Sequence, residues 1–221
     1  MSEGAAFWLE RWNKGEIGFH RDAPHGALDR HWDKLGVDKQ ATVFVPLCGK
    51  SNDMRWLAQR GHSVVGVELA KKALEDFYTE GELVPTVSSQ PPFEVLSAAP
   101  YKLLCGDLFD LSQGNIDHAA AVYDRASLIA LPPKTQPRFA EKLSDLLPTG
   151  AAALVITLDY DDNKMDGPPF STPPEVVQSI FAATFEIDEL SREEVLDLNS
   201  PLRTRGLTEV FETCYMLHRK S

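Results

Sequence analysis

A chain of 221 residues, 43% hydrophobic and 25% charged, is sized for one globular domain and excludes disordered and collagen-like classes. Its 33 acidic against 22 basic side chains, a net charge of -11, exclude a surface built to hold nucleic-acid phosphates or an anionic membrane. Cys48, Cys105 and Cys214 are odd in number and form no Cys-x-x-Cys, so neither a zinc site nor a redox pair is expected, and a reducing cytoplasmic setting is.

Residues 5–35 read as two short amphipathic helices. Phe7, Trp8 and Trp12 mark the first; Leu28, Trp32 and Leu35 share one face of the second. A loop with glycines and histidines, Gly15 to Gly26, joins them. The aromatic side chains Trp8, Trp12 and Phe19 flank this loop ahead of any strand, which suits a lid folding over a site better than plain core packing. From residue 42 the pattern changes. Thr42 to Leu47 is an apolar run of buried-strand type, followed by Gly49 and a helix with Met54, Leu57 and Ala58 on one face. Ser63 to Val67 is a second strand, with a helix from Lys71 to Tyr78 behind it. Tyr101 to Cys105 and Ala119 to Tyr123 are the third and fourth strands. A helix through Phe139, Leu143 and Leu146 leads to a fifth, Ala151 to Leu158. Unalternated strands separated by helices imply a parallel sheet covered on both faces, an α/β fold. In the tail, Phe185 to Leu190 and Leu207 to Leu217 read as two strands joined by a loop without a helix, the last pair antiparallel. Proline pairs at 91–92, 132–133, 168–169 and 173–174 fall in loops. No apolar run approaches the ~20 residues of a membrane-spanning helix, and the N-terminus has no signal-peptide pattern.

Ligands of an open parallel sheet bind beyond the carboxyl ends of its strands. Here those ends carry Gly49, Glu68, Asp107 and the pair Asp124-Arg125. Glu68 lies 19 positions after Gly49, where a ribose-binding carboxylate sits in nucleotide-binding βαβ units. Two carboxylate oxygens can accept from both vicinal hydroxyls. A helix-start acid is common and means little alone; the glycine turn and Asp107 beside it make the difference. Gly-x-Gly-x-x-Gly is absent, and a dinucleotide pyrophosphate needs that close backbone approach. S-adenosylmethionine carries an adenosine and an amino-acid tail without phosphate, and suits a single glycine better than NAD does. Gly49-Lys50-Ser51 is no phosphate loop, because position 44 is Phe where that loop needs Gly. His20, His25 and His31 lack a completing carboxylate or cysteine, so no metal is expected. The acidic run from Asp159 to Asp166 has Lys164 and Phe170 where a calcium loop needs Gly and Glu.

Phe7-Trp-Leu-Glu-Arg-Trp12, Gly18-Phe19-His20, Pro46-Leu-Cys-Gly-Lys50, Gly61 to Glu68, Tyr123-Asp-Arg125 and Gly167-Pro-Pro-Phe170 together resemble the thiopurine S-methyltransferase family, over residues 7–217 and with a bacterial-type short N-terminus. The resemblance implies a class I S-adenosylmethionine-dependent methyltransferase. Its Rossmann-like sheet has seven mostly parallel strands with an antiparallel last strand, and helices on both faces. Residues 1–221 are expected to form one domain, with 1–40 an N-terminal helical lid and 41–221 the core. It implies cofactor contacts from Trp12, Leu47, Glu68 and Arg125, with Gly49 in the turn and Asp107 and Leu108 beside the adenine. It also implies that Phe19 faces the acceptor. Mammalian members carry a substrate-linked arginine near the final loop. The equivalent place here holds Pro201, with Arg203 and Arg205 close by as acceptor-side candidates.

Methyl transfer from a sulfonium releases a neutral sulfide and needs no acid. A soft thiolate or selenolate needs positioning more than a dedicated base, so Arg125 is the one catalytic candidate, through its charge. The expected partners are a small-molecule thiol or a selenium or tellurium acceptor, met by a monomer. The rival classes are an NAD-dependent oxidoreductase, opposed by the single-glycine turn, and a non-catalytic small-ligand-binding protein, opposed by the full set of strand-end residues.

Overall fold

The computed structural model describes residues 4–198 and 200–221; residues 1–3, the start of the expected lid, and Asn199 lie outside the described residues. The apolar run after residue 41 becomes β1 (Thr42–Val45), which takes the centre of the sheet because both its faces are apolar. The other strands are β2 (Ser63–Glu68), β3 (Thr86–Gln90), β4 (Phe93–Ala98), β5 (Tyr101–Cys105), β6 (Ala121–Asp124), β7 (Ala152–Asp159), β8 (Phe185–Glu194) and β9 (Phe211–Arg219). Among the described residues they form one nine-stranded sheet in the order β3-β4-β5-β2-β1-β6-β7-β9-β8. β5, β2, β1, β6 and β7 run parallel. β9 runs antiparallel to both β7 and β8. The chain moves outward from β1 through β2 to one side and from β6 through β7 to the other, so the switch point lies between β1 and β6.

Alternate residues feed two cores. Phe44, Val65, Val67 and Val122 pack with Phe139 and Leu143 of α6 (Gln136–Leu146) and with Val177 and Phe181 of α7 (Pro174–Phe181). Val43, Val45 and Val64 face the other way. Their partners are Leu28 of α2 (Gly26–His31), Met54 and Leu57 of α3 (Asn52–Gln59), and Leu74 and Phe77 of α4 (Lys71–Glu80). Fully burying one such side chain stabilises by about 1.5–3 kcal/mol. Two further helices are α1 (Ala5–Lys14) and α5 (Ser127–Ala130).

The seven expected strands, the last antiparallel, are all present as β5-β2-β1-β6-β7-β9-β8. The structure adds three things that the sequence pattern did not reveal. The β3–β4 hairpin extends the sheet at one edge, antiparallel to β5. β3 is exposed at every position and so has no apolar face to leave a period-two signal. α7 begins at Pro174, inside a proline pair read as loop; proline at a first helical position is compatible with a helix, since its missing N–H has no partner there anyway. Between β8 and β9 the connection contains a one-turn helix, α8 (Pro201–Thr204), so the expected helix-free loop is corrected.

Candidate active site

The turn after β1 is bent by two left-handed residues. Leu47 has φ 40 and Gly49 has φ 51. A branched side chain at positive φ is a strained conformation of the kind that collects at ligand clamps. The turn is pinned to β2. The Cys48 N–H donates to the Val67 carbonyl at 3.0 Å, and the Gly49 N–H donates to Glu68 Oε2 at 3.0 Å. The Ala70 N–H donates to Glu68 Oε1 at 2.9 Å. Glu68 is 6% exposed, and among the described residues no cation pairs with it. Burial pushes its pKa up, against the N–H groups of Ala70 and Gly49 that pull it down. Backbone N–H groups of Gly49, Ala70 and Leu69 face the carboxylate, whose roughly four lone-pair sites leave room for a further donor. A buried carboxylate short of donors, beside a backbone turn with no side chain at Gly49, fits the vicinal hydroxyls of the S-adenosylmethionine ribose.

The N-terminal segment lies over this turn. Trp12 is buried and packs on Ala70 and Ala73 at the start of α4. A Cβ on Gly49 would sit 3.0 Å from the Trp12 ring, so glycine there serves both the positive φ and the close approach. Phe19 sets its ring edge-on to Trp12 at 5.6 Å and to Trp8 at 5.5 Å, and is itself 39% exposed. The chain beyond Phe19 is clasped by α3: Asn52 Nδ2 donates to the Arg21 and Asp22 carbonyls at 3.0 and 3.2 Å. His20, between these anchors, has its pKa lowered by burial and by the charges of Lys50 and Arg125.

At the end of β6, Asp124 and Arg125 do not form the pair that their adjacency suggests. The Asp124 carboxylate turns inward and accepts the N–H groups of Ser127 (2.8 Å) and Leu128 (3.3 Å), capping α5. Its burial raises its pKa to about 6. Arg125 donates its Nε instead to Asp53 Oδ2 at 3.2 Å. Asp53, in the first turn of α3, also accepts the Tyr123 hydroxyl and the His25 N–H. Sequence reasoning missed Asp53, which reads locally as one more acid in a helix's first turn; its partner lies 72 residues away.

After β5, the Asp107 carboxylate accepts the Phe109 N–H at 3.1 Å and caps a short 3-10 turn, Leu108–Asp110. The Leu108 side chain is 1% exposed and packs in the core with Phe44 and Leu104, so this turn presents backbone and not that side chain. Of the two arginines expected on the acceptor side, the guanidinium of Arg203 donates to the carbonyls of Asp197 (2.8 Å) and Leu196 (3.0 Å). That of Arg205 donates to the Pro168 carbonyl at 2.7 Å. Both arginines brace loops, and Arg205 reaches the Gly167–Phe170 segment, which is itself pinned beside α5 by the Phe170 N–H to the Ile129 carbonyl at 2.6 Å. The histidines part company: His25 contacts Glu212 at 3.1 Å, while His31 contacts Ser191 at 3.0 Å. Among the described residues no three His, Cys, Asp or Glu side chains group as a metal site, and no helix is long and apolar enough to cross a membrane.

The profile of the family described as Thiopurine S-methyltransferase (TPMT) matches residues 3–220. A protein named Thiopurine S-methyltransferase from Pseudomonas fluorescens is 43% identical over 211 residues, covering 96% of this chain and 97% of the relative. One of the same name from Azotobacter vinelandii is 42% identical over 214 residues, covering 97% and 98%. Among solved structures, Burkholderia thailandensis 1,6-didemethyltoxoflavin-N1-methyltransferase, with S-adenosylhomocysteine bound, superposes with a TM-score of 0.66. At 14% identity, over 98% of this chain and 87% of that one, it shares the fold.

Proposed function

The chain belongs to the thiopurine S-methyltransferase family and is an S-adenosylmethionine-dependent methyltransferase; from that premise we propose that it methylates the sulfur of thiopurines and other aromatic thiols, and selenium or tellurium compounds of like softness. The observation that carries the reading is the match to relatives of that name along nearly the whole length of both chains. Bound S-adenosylmethionine supplies a methyl group on a sulfonium, whose departing sulfide is neutral and needs no proton.

The work of the protein is therefore to bind, orient and exclude water. Glu68 accepts from the ribose hydroxyls, with the Leu47–Gly49 backbone beside it. Trp12 and Phe19 close over that turn. The turn at Asp107 and Leu108 would hold the adenine through its backbone, Leu108's side chain being in the core. Arg125 offers its remaining guanidinium N–H groups to an anion, either the amino-acid carboxylate or the acceptor thiolate. Arg203 and Arg205 shape the acceptor side by holding the loops that border it. Three free cysteines suit a reducing cytoplasm, and the acceptor is a small molecule.

The test is an acceptor panel of a thiopurine, an aliphatic thiol, selenite and tellurite with S-adenosylmethionine, read by mass spectrometry. Methylated thiopurine is the expected product. No methylated product from any of the four, or methylation of the thiopurine at nitrogen alone, overturns the reading.

A further inference from the structure

Asp53 is 2% exposed, yet it takes three donors from two distant parts of the chain, the loop at His25 and the end of β6. Its Oδ1 accepts the His25 N–H at 2.7 Å. Its Oδ2 accepts the Tyr123 hydroxyl at 3.0 Å and Arg125 Nε at 3.2 Å. Its place in the first turn of α3 suits a carboxylate, since unpaired N–H groups make that end positive.

Two consequences follow. First, a guanidinium bound only through Nε has its plane set while its far edge stays open. Among the described residues Arg125 Nη1 and Nη2 have no partner, and the side chain is 18% exposed. An arginine so held presents a fork to an anion in one direction. Second, the first turn of α3 holds both ends of the segment that follows the aromatic lid. Asn52 clasps the carbonyls of Arg21 and Asp22, and Asp53 clasps the N–H of His25.

We propose that Asp53 is a positioning residue that sets the direction of Arg125 and docks the base of the lid on the same carboxylate, so that lid and cation are aligned together. This rests on the reading that Arg125 faces the cofactor or acceptor.

The test is a double-mutant cycle of Asp53→Asn and Arg125→Lys, with thermal stability measured for every variant. Asp53→Asn keeps the shape, but its amide N–H₂ faces a donor at one oxygen position or the other. Lysine keeps the charge of Arg125 and lacks Nε. Asp53→Asn is expected to lower kcat/KM for S-adenosylmethionine about tenfold or more, the scale of a charge-assisted hydrogen bond. In the Arg125→Lys background the same change is expected to cost clearly less, the remainder being the share carried by the His25 contact at the base of the lid. Amide exchange at residues 21–25 is expected to quicken in Asp53→Asn and not in Arg125→Lys. If Asp53→Asn does not fold, Asp53→Glu replaces it in the cycle, keeping the charge one methylene out of place. Equal losses in both backgrounds, or unchanged exchange at 21–25, overturn the proposal while Arg125 keeps its place. Wild-type kinetics for Arg125→Lys alone overturn the placement of Arg125, and the proposal with it.

Discussion

Gly49 and Glu68, 19 residues apart, are joined by a 3.0 Å hydrogen bond from the glycine N–H to the carboxylate Oε2. The bond places an acid with spare acceptor capacity beside the one turn position that has no side chain. Under the proposed function, removing the carboxylate would leave the ribose hydroxyls unpaired. Glu68→Ala is therefore expected to weaken S-adenosylhomocysteine binding by about 1.5–3 kcal/mol, measured by calorimetry.

Acidity gives the same residue a second signature. Burial raises the Glu68 pKa in the free protein, and hydroxyl donors from a ligand stabilise the charged form, so binding releases a proton when the group starts protonated. Affinity is expected to fall on acidification through a pKa that burial has raised above the ordinary carboxylate value. Glu68→Gln should lose that slope; a variant that keeps it would detach the slope from Glu68.

Gly49→Ala puts a methyl group at φ 51 and 3.0 Å from the Trp12 ring. A strained backbone of this kind costs about 1–3 kcal/mol. The variant should melt earlier, and amides 8–20 should exchange faster than in the parent. In the parent, S-adenosylhomocysteine should slow those same amides. Equal exchange with and without it would make Trp8 and Trp12 ordinary core residues.

Arg203→Lys and Arg205→Lys each replace a planar fork braced on backbone carbonyls by a single ammonium. Each lost neutral-acceptor bond is worth about 0.5–1.5 kcal/mol. Acceptor KM should rise several-fold, on the order of that energy, with the S-adenosylhomocysteine Kd unchanged. A change in cofactor affinity without a change in acceptor KM would remove both arginines from the acceptor side.

Asp124 has a folded pKa of about 6, above the ordinary 3.8, because its cap site is buried. The folded state then binds the proton more tightly than the unfolded chain, so this group's contribution is full below pH 3.8 and is lost as pH rises through about 6. The difference in melting temperature between the parent and Asp124→Asn should shift against the parent across that window and level off above it. Parallel curves would show that the carboxylate is ionised throughout, held by the Ser127 and Leu128 N–H groups.

The sequence by itself determined what depends on neighbours along the chain. Apolar runs at 42–47, 63–67, 101–105 and 151–158 became central strands, because a strand buried on both faces has no polar alternation to maintain. Gly49 and Glu68 were legible as a pair, because one strand–helix–strand unit carries them both and its length sets their spacing. The β3–β4 hairpin was hidden because β3 buries nothing. Tertiary structure alone decided the rest. Asp124 and Arg125, adjacent in sequence, part at the strand end: one caps the next helix, and the other crosses to Asp53. The docking of Trp12 on Gly49, the clasp of Asn52 on Arg21 and Asp22, and the turning of Arg205 toward Pro168 likewise join distant segments. Such contacts leave no period in the sequence, since each hydrogen bond is set by where the packed sheet and helices bring two groups within about 3 Å.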